Sequence, residues 1–260
     1  MSAISRFRSD IQAGKVLLGP SIAFTDPQVT AALADSADFI WIDLEHGVMS
    51  PEALIGHLLA GRAKDKPVIV RLPGSHTSLI KPMLDAGVEG LIIPQVRDAQ
   101  EVRSVVGDCR YPPAGRRGFG PRVPSNFGRI AIADVVKFAN EQLFVAVMIE
   151  NVEAVANLDE ILAVPGLDSV VIGPMDLSAS LGLLGQVDHP AVVEAMDVII
   201  AKAHAAGLSV GVGVGDAKHA ALMIQRGVQW VQMGGDSQYL RGYYEQMTSD
   251  VRARLAGQPG

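Results

Sequence analysis

The chain has 260 residues, a net charge of −6, 48% apolar residues and 19% charged residues. That composition describes an ordinary buried core and excludes a disordered or fibrous chain. The acidic balance speaks against nucleic acid and anionic membranes as partners, since both need a basic face. Met1 to Gly19 carries Arg6, Arg8, Asp10 and Lys15 without a continuous apolar stretch, so no signal peptide is expected. No run approaches the roughly 20 apolar residues of a membrane helix. The lone Cys109 allows no internal disulfide and reads as a small buried hydrophobe. A soluble, cytoplasmic protein is expected.

In chain order, short β-rich runs alternate with longer helical segments. The runs are Val16–Ile22, Phe39–Asp43, Val68–Arg71, Gly90–Pro94, Phe144–Glu150, Ser169–Gly173, Ser209–Val212 and Gln229–Met233. Several are apolar without alternation, as strands buried on both faces are. Ser50-Pro51 is an N-cap and first-turn pair for a helix through Ala63. Gly87, Gly207 and Gly227 stand before the next strands, where helix C-caps belong. Eight strand–helix units predict a single (β/α)8 TIM barrel over residues 1–260, with no linker to mark a second domain. Two segments interrupt the alternation, a Gly/Pro/Arg-rich connection at Tyr111–Arg129 and an insertion at Leu177–Pro190.

Chemistry in such barrels sits at the C-terminal strand ends. The second run there ends in Asp43-Leu44-Glu45-His46-Gly47, the third in Arg71 and the fourth in Pro94-Gln95. The fifth ends in Glu150-Asn151, the sixth in Gly173-Pro174-Met175-Asp176. One charged strand end is simply meeting solvent; five at one mouth mark a site. Glu150 and Asp176 are hard oxygen ligands suited to Mg²⁺ or Mn²⁺. They also read as an acid pair for glycoside hydrolysis, or Asp176 as a helix N-cap. The Gly173-Pro174 turn would expose the N–H groups of Met175 and Asp176 to a bound carboxylate. His46 reads as a general base oriented by Asp43, or as a residue packing the next helix. Arg71 suits developing charge on an enolate oxygen, and equally a structural pair with Glu150 or Asp43. His57, His76, His189, His204 and His219 fall in or at the ends of helical segments and carry no assigned role.

Gly211-Val-Gly213-Val-Gly215 lacks the third glycine of a dinucleotide loop, Asp216 standing in its place. That run and Gly234-Gly235 are expected to follow the seventh and eighth strands, where backbone can approach a substrate closely. Arg116, Arg117 and Arg122 suit an anion or an intersubunit salt bridge. No Lys stands at a strand end, so a Schiff-base mechanism has no nucleophile.

The stretches WIDLEHG, VRLPG, MLDAGVEGLIIPQV, RYPPAGRRGFGPR, VAVMIEN-x-EA and VIGPMDLSASLG, from about Gly19 to Asp236, resemble the HpcH/HpaI aldolase family. The resemblance implies a class II pyruvate aldolase that reversibly cleaves 4-hydroxy-2-oxoacids to pyruvate and an aldehyde with Mg²⁺, Mn²⁺ or Co²⁺. It implies Glu150 and Asp176 as metal ligands, His46 as base, Arg71 as transition-state stabiliser, and Asp85 as an acid raising the basicity of His46. Substrate contacts would involve Arg71, Gly173, Met175 and Asp176. It implies a homo-hexamer, a trimer of dimers with the last helix exchanged between partners. On barrel logic Asp85 ends a helix at the opposite face, which leaves Asp43 as the local partner of His46. Some members have Gln at the position of Met148 and a small residue at that of Met175. Competing readings are a malyl- or citryl-type acyl-CoA ester lyase, an oxaloacetate decarboxylase and a non-catalytic binding barrel.

Overall fold

The computed structural model describes residues 2–256. Eight parallel strands close a barrel in sequence order: β1 Leu17–Ile22, β2 Ile40–Asp43, β3 Val68–Arg71, β4 Gly90–Ile93, β5 Phe144–Ile149, β6 Ser169–Ile172, β7 Ser209–Val214 and β8 Trp230–Gly235. Helices α1 Ala3–Gln12, α2 Pro27–Ala34, α3 Pro51–Ala63, α4 Thr77–Asp85, α5 Ala99–Cys109 and α6 Ile132–Glu141 belong to the first half. The second half holds α7 Val152–Ala156, α8 Leu158–Leu162, α9 Pro174–Ser180, α10 Pro190–Ala205, α11 Ala217–Gln225 and α12 Asp236–Ala256. Every expected strand is present. The Ser50 hydroxyl caps α3 by accepting from the Ala53 N–H, and Gly87, Gly207 and Gly227 take the positive φ expected of C-caps.

Two apolar layers hold the fold. One lies between strands and helices, the other inside the barrel around Trp41, Phe144, Met148 and Trp230. The bottom of the barrel is plugged by α1, which the sequence reading passed over. Its buried Ile4, Phe7 and Ile11 follow helical spacing, and Phe7 packs edge-on against Phe39, Phe144 and Trp230 at 5.3–5.9 Å. A Cβ at Gly211 would overlap the Trp230 indole, so this glycine serves core packing rather than substrate approach. Cys109 is buried, and burial pushes its thiol up to about 12, which makes it inert.

The expected end points of β7 and β8 need correction. β7 runs two residues further than its apolar stretch, because Gly213 and Val214 pair with Gln232 and Met233. Gly234 and Gly235 are the last residues of β8, not a loop beyond it. Pairing with neighbours decides these ends.

Candidate active site

The parallel register sets Asp43 of β2 beside Arg71 of β3. Arg71 donates from Nε to Asp43 Oδ1 at 3.0 Å and from Nη2 to Oδ2 at 2.6 Å, a bidentate fork. Its Nη1 stands 3.0 Å from Glu45 Oε2, although no N–H is aligned on that oxygen. The Met148 sulfur lies 3.8 Å from the same Nη1, and the guanidinium carbon sits 5.7 Å from the Trp41 ring centroid. Four neighbours therefore fix the guanidinium.

Asp43 Oδ1 also accepts from the backbone N–H of Glu45 at 3.0 Å and of His46 at 3.4 Å. Burial opposes ionisation of Asp43, but the Arg71 hydrogen bond and charge and the two N–H groups outweigh it and hold the carboxyl below its usual range. The expectation that Asp43 orients the imidazole is corrected by this geometry: its oxygens are committed to Arg71 and to backbone. The carboxylate near His46 is Glu45, whose Oε2 is 3.7 Å from Nε2. The His46 side chain is 64% exposed, so it opens into the cleft rather than packing a helix.

Glu150 follows β5 and is buried. Its Oε1 accepts from the Gln95 N–H at 2.7 Å, a donor aimed by the left-handed backbone of Gln95 at φ +59°. Its Oε2 is buried without a partner. A Cβ at Gly173 would overlap that oxygen, so the glycine makes room for the carboxylate. Burial pushes Glu150 up to about 7, Glu45 and Asp176 push the same way, and the Gln95 N–H and Arg71 only partly offset them. Glu45 is likewise raised, by burial first, and it too feels Asp176. Asp176 lies in the first turn of α9 but caps nothing; the N-cap position is Gly173, with no side-chain cap bond. Three acids thus crowd one mouth around a single, already paired guanidinium.

His46, Arg71, Gly173 and Asp176 border a cleft of about 330 Å³ at the C-terminal barrel face, and Glu150 lies directly behind Gly173. Met148, 4% exposed, and Met175, 54% exposed, lie on its floor and rim. The far wall is Gly213, Val214, Gly215, Gln232, Gly234 and Gln238, and the two glutamines escaped the sequence reading because amides leave no charge or periodicity signal. A larger cavity of about 410 Å³ opens where Arg8 and Asp168 meet. Arg8 pairs with Asp168 at 2.7 Å and Arg110 with Asp168 at 3.5 Å, so the Arg8 and Asp168 charges there are satisfied by each other.

Asp85 ends α4 and does not meet His46 within one chain. Arg117 donates to its Oδ1 at 2.8 Å and stacks over Tyr111 at 4.7 Å, tying the long connection to α4. Arg116 pairs with Asp108 at 2.9 Å. Arg116 and Arg117 are therefore engaged inside the chain, not held for an anion.

Among the described residues no group of three or more His, Cys, Asp or Glu forms a ready ligand set. Two carboxylates with one buried, unsatisfied oxygen nevertheless fit a hard divalent cation that keeps some of its water. A proton competes for Glu150, so divalent-cation affinity is expected to fall as pH drops below about 7. Cation-free stability runs the other way. Because the fold raises this carboxyl from 4.5, its contribution is complete below the unfolded value and is lost as pH rises through about 7. Titration calorimetry and thermal melts in chelator across this window check both signs; pH-independent affinity would detach Glu150 from the cation.

The HpcH/HpaI aldolase/citrate lyase family model matches residues 24–242. A hydroxypyruvate/pyruvate aldolase of Pseudomonas aeruginosa is 35% identical over 91% of this chain and 89% of its own. A 4-hydroxy-2-oxo-heptane-1,7-dioate aldolase of Salmonella arizonae is 33% identical over 98% of both chains. The crystal structure of an HpcH/HpaI aldolase from Desulfitobacterium hafniense superposes with a TM-score of 0.88 at 30% identity, covering 97% of both chains.

Proposed function

Because the chain belongs to the HpcH/HpaI aldolase/citrate lyase family, we propose that it is a carbon–carbon lyase that reversibly cleaves 4-hydroxy-2-oxoacids to pyruvate and an aldehyde, dependent on a divalent cation. The observation that carries this reading is the buried, unpartnered Glu150 oxygen at the mouth that also holds Arg71 and His46. Glu150 and Asp176 would hold Mg²⁺, Mn²⁺ or Co²⁺. The cation would act as a Lewis acid on the 2-oxoacid.

In cleavage His46, directly or through a water, takes the proton of the C4 hydroxyl. The C3–C4 bond breaks, its electrons pass into the pyruvate enolate, the aldehyde leaves, and the protonated His46 returns its proton, directly or through water, to the enolate carbon to give pyruvate. Arg71 stabilises the charge on the enolate oxygen, already oriented by Asp43 and Glu45. In synthesis His46 removes a methyl proton from pyruvate and the enolate adds to the aldehyde. No Lys lines the cleft among the described residues, which supports an enolate over a Schiff base. Among the described residues that line the cleft, Arg71 is the one cation, too little for the phosphates of an acyl-CoA.

The same reading includes a hexamer with an exchanged last helix. Its support is the exposed Leu240, Tyr243, Tyr244, Met247, Val251 and Leu255 on α12, an apolar run that a second copy would cover. Asp85 of a neighbouring copy could then support His46. Residence in the cytoplasm completes the reading; among the described residues no helix is long and apolar enough to cross a membrane.

Exhaustive chelation is expected to abolish formation of 4-hydroxy-2-oxoacids from pyruvate and aldehydes, and added Mg²⁺, Mn²⁺ or Co²⁺ to restore it, read by product mass. Full turnover in chelator, or a borohydride-trapped pyruvate adduct, would overturn the cation-dependent mechanism.

A further inference from the structure

The two sides of the cleft differ in kind. One carries His46, Arg71 and Asp176, with Glu45 behind Arg71 and Glu150 behind Gly173. The other is the glycine-rich end of β7 and β8 with Gln232 and Gln238, and it bears no charge. A substrate whose 2-oxoacid end engages the charged side must place its aldehyde-derived end against this second wall.

The two carboxamides there are oriented and half-used. Gln232 Nε2 donates to the Gly234 carbonyl, which turns its Oε1 toward Gly213. A Cβ at Gly213 would run into that oxygen, so the glycine leaves the carboxamide its place. Gln232 Oε1 accepts no hydrogen bond from the described residues. Gln238 Oε1 accepts from the Gly235 N–H at 3.0 Å, which leaves its Nε2 free on the side of Gly215. The wall therefore presents one unused acceptor and one unused donor.

Resting on the aldolase reading, we infer that Gln232 and Gln238 select the aldehyde, and that it is a short, neutral, hydroxylated one whose hydroxyls bond Gln232 Oε1 and Gln238 Nε2. An apolar aldehyde would strip water from both amides and replace none of their hydrogen bonds. A carboxylated aldehyde would meet no free cation on this wall: Arg71 is held by Asp43 and Glu45, and the divalent cation would be taken up by Glu150, Asp176 and the 2-oxoacid. The cleft of about 330 Å³ must hold both reaction partners, which limits the length of the second.

The test offers the purified protein pyruvate and divalent cation with glyceraldehyde, propanal or glyoxylate, and measures kcat/KM for each. Exchange of the pyruvate methyl protons in D₂O is followed in parallel, because it reports enolisation without any aldehyde. Glyceraldehyde should exceed both others by about tenfold or more, as one or two discriminating hydrogen bonds allow. Gln232→Met and Gln238→Met keep the side-chain length and remove the amides; each should shrink the preference over propanal, and together they should bring it to within about twofold. The variants also separate recognition from the greater intrinsic reactivity of a hydroxyaldehyde. Proton exchange with propanal or glyoxylate preferred, or with the glyceraldehyde preference intact in the double variant, overturns the inference and leaves the aldolase standing. Absence of both exchange and aldol product overturns the two together.

Discussion

His46→Ala is expected to lower aldol turnover by roughly 10²–10⁴, the usual range for loss of a general acid–base group, with divalent-cation affinity little changed. The separation follows from the geometry. Glu150 is held by the Gln95 N–H and accommodated by Gly173, neither of which involves the imidazole. The His46 side chain is 64% exposed at the cleft edge, and among the described residues its imidazole approaches one acid, Glu45. Its removal leaves the Asp43–Arg71 fork intact, because Asp43 holds the backbone N–H of residue 46 and not its ring. Steady-state kinetics together with cation titration of the variant decide the matter. A near-native aldol rate would make His46 a residue of structure alone, and a large fall in cation affinity would show that the site is coupled in a way these contacts do not explain.

The barrel was legible because its strands are buried on both faces, and short apolar runs such as Gly90–Ile93 and Ser169–Ile172 recur in alternation with helical segments. The ends of β7 and β8 were not, since Gly213 and Gly235 carry no strand propensity and become strand only by pairing with Gln232 and Ser21. The plug helix hid its three apolar residues among charged ones. Within the candidate site, the strand-end rule picked out Asp43, His46, Arg71, Glu150 and Asp176, which the fold brings to one end of the barrel. It gave Asp43 to His46 while leaving an Arg71–Asp43 pair open, and the pair is what forms: adjacency in sequence favours His46, but sheet register favours Arg71, and a guanidinium fork outcompetes an exposed imidazole for the same oxygens. Glu45 went unassigned for the same reason: its pairing with Arg71 crosses strands. Asp85 ends a helix at the far end, as barrel logic expects, and its contact with Arg117 bridges two segments that no local pattern links.

Substitution of Arg71 is expected to depress both aldol cleavage and oxaloacetate decarboxylation, because both pass through a pyruvate enolate. His46→Ala should depress the first far more than the second, since oxaloacetate releases CO₂ without any hydroxyl or methyl proton being removed. Losing a donor to a developing oxyanion typically costs about 2.7–4 kcal/mol, or on the order of 10²–10³ in rate. Arg71→Ala has a second consequence. Asp43 and Glu45, with side chains 12% and 14% exposed, would lose their counter-charge, and breaking a buried pair from one side costs roughly 3–5 kcal/mol of stability. Arg71→Lys keeps the charge without the planar fork, so it should fold and load cation while still losing most of its rate with both substrates. Circular dichroism and cation titration establish that each variant is folded and loaded before rates are compared under saturating cation. Since Asp43 and Glu45 serve the guanidinium, Asp43→Asn should move in the direction of Arg71→Lys, slowing both reactions together. If Arg71→Lys and Arg71→Ala spare decarboxylation while His46→Ala abolishes it, the roles are exchanged: the imidazole, and not the guanidinium, stabilises the enolate.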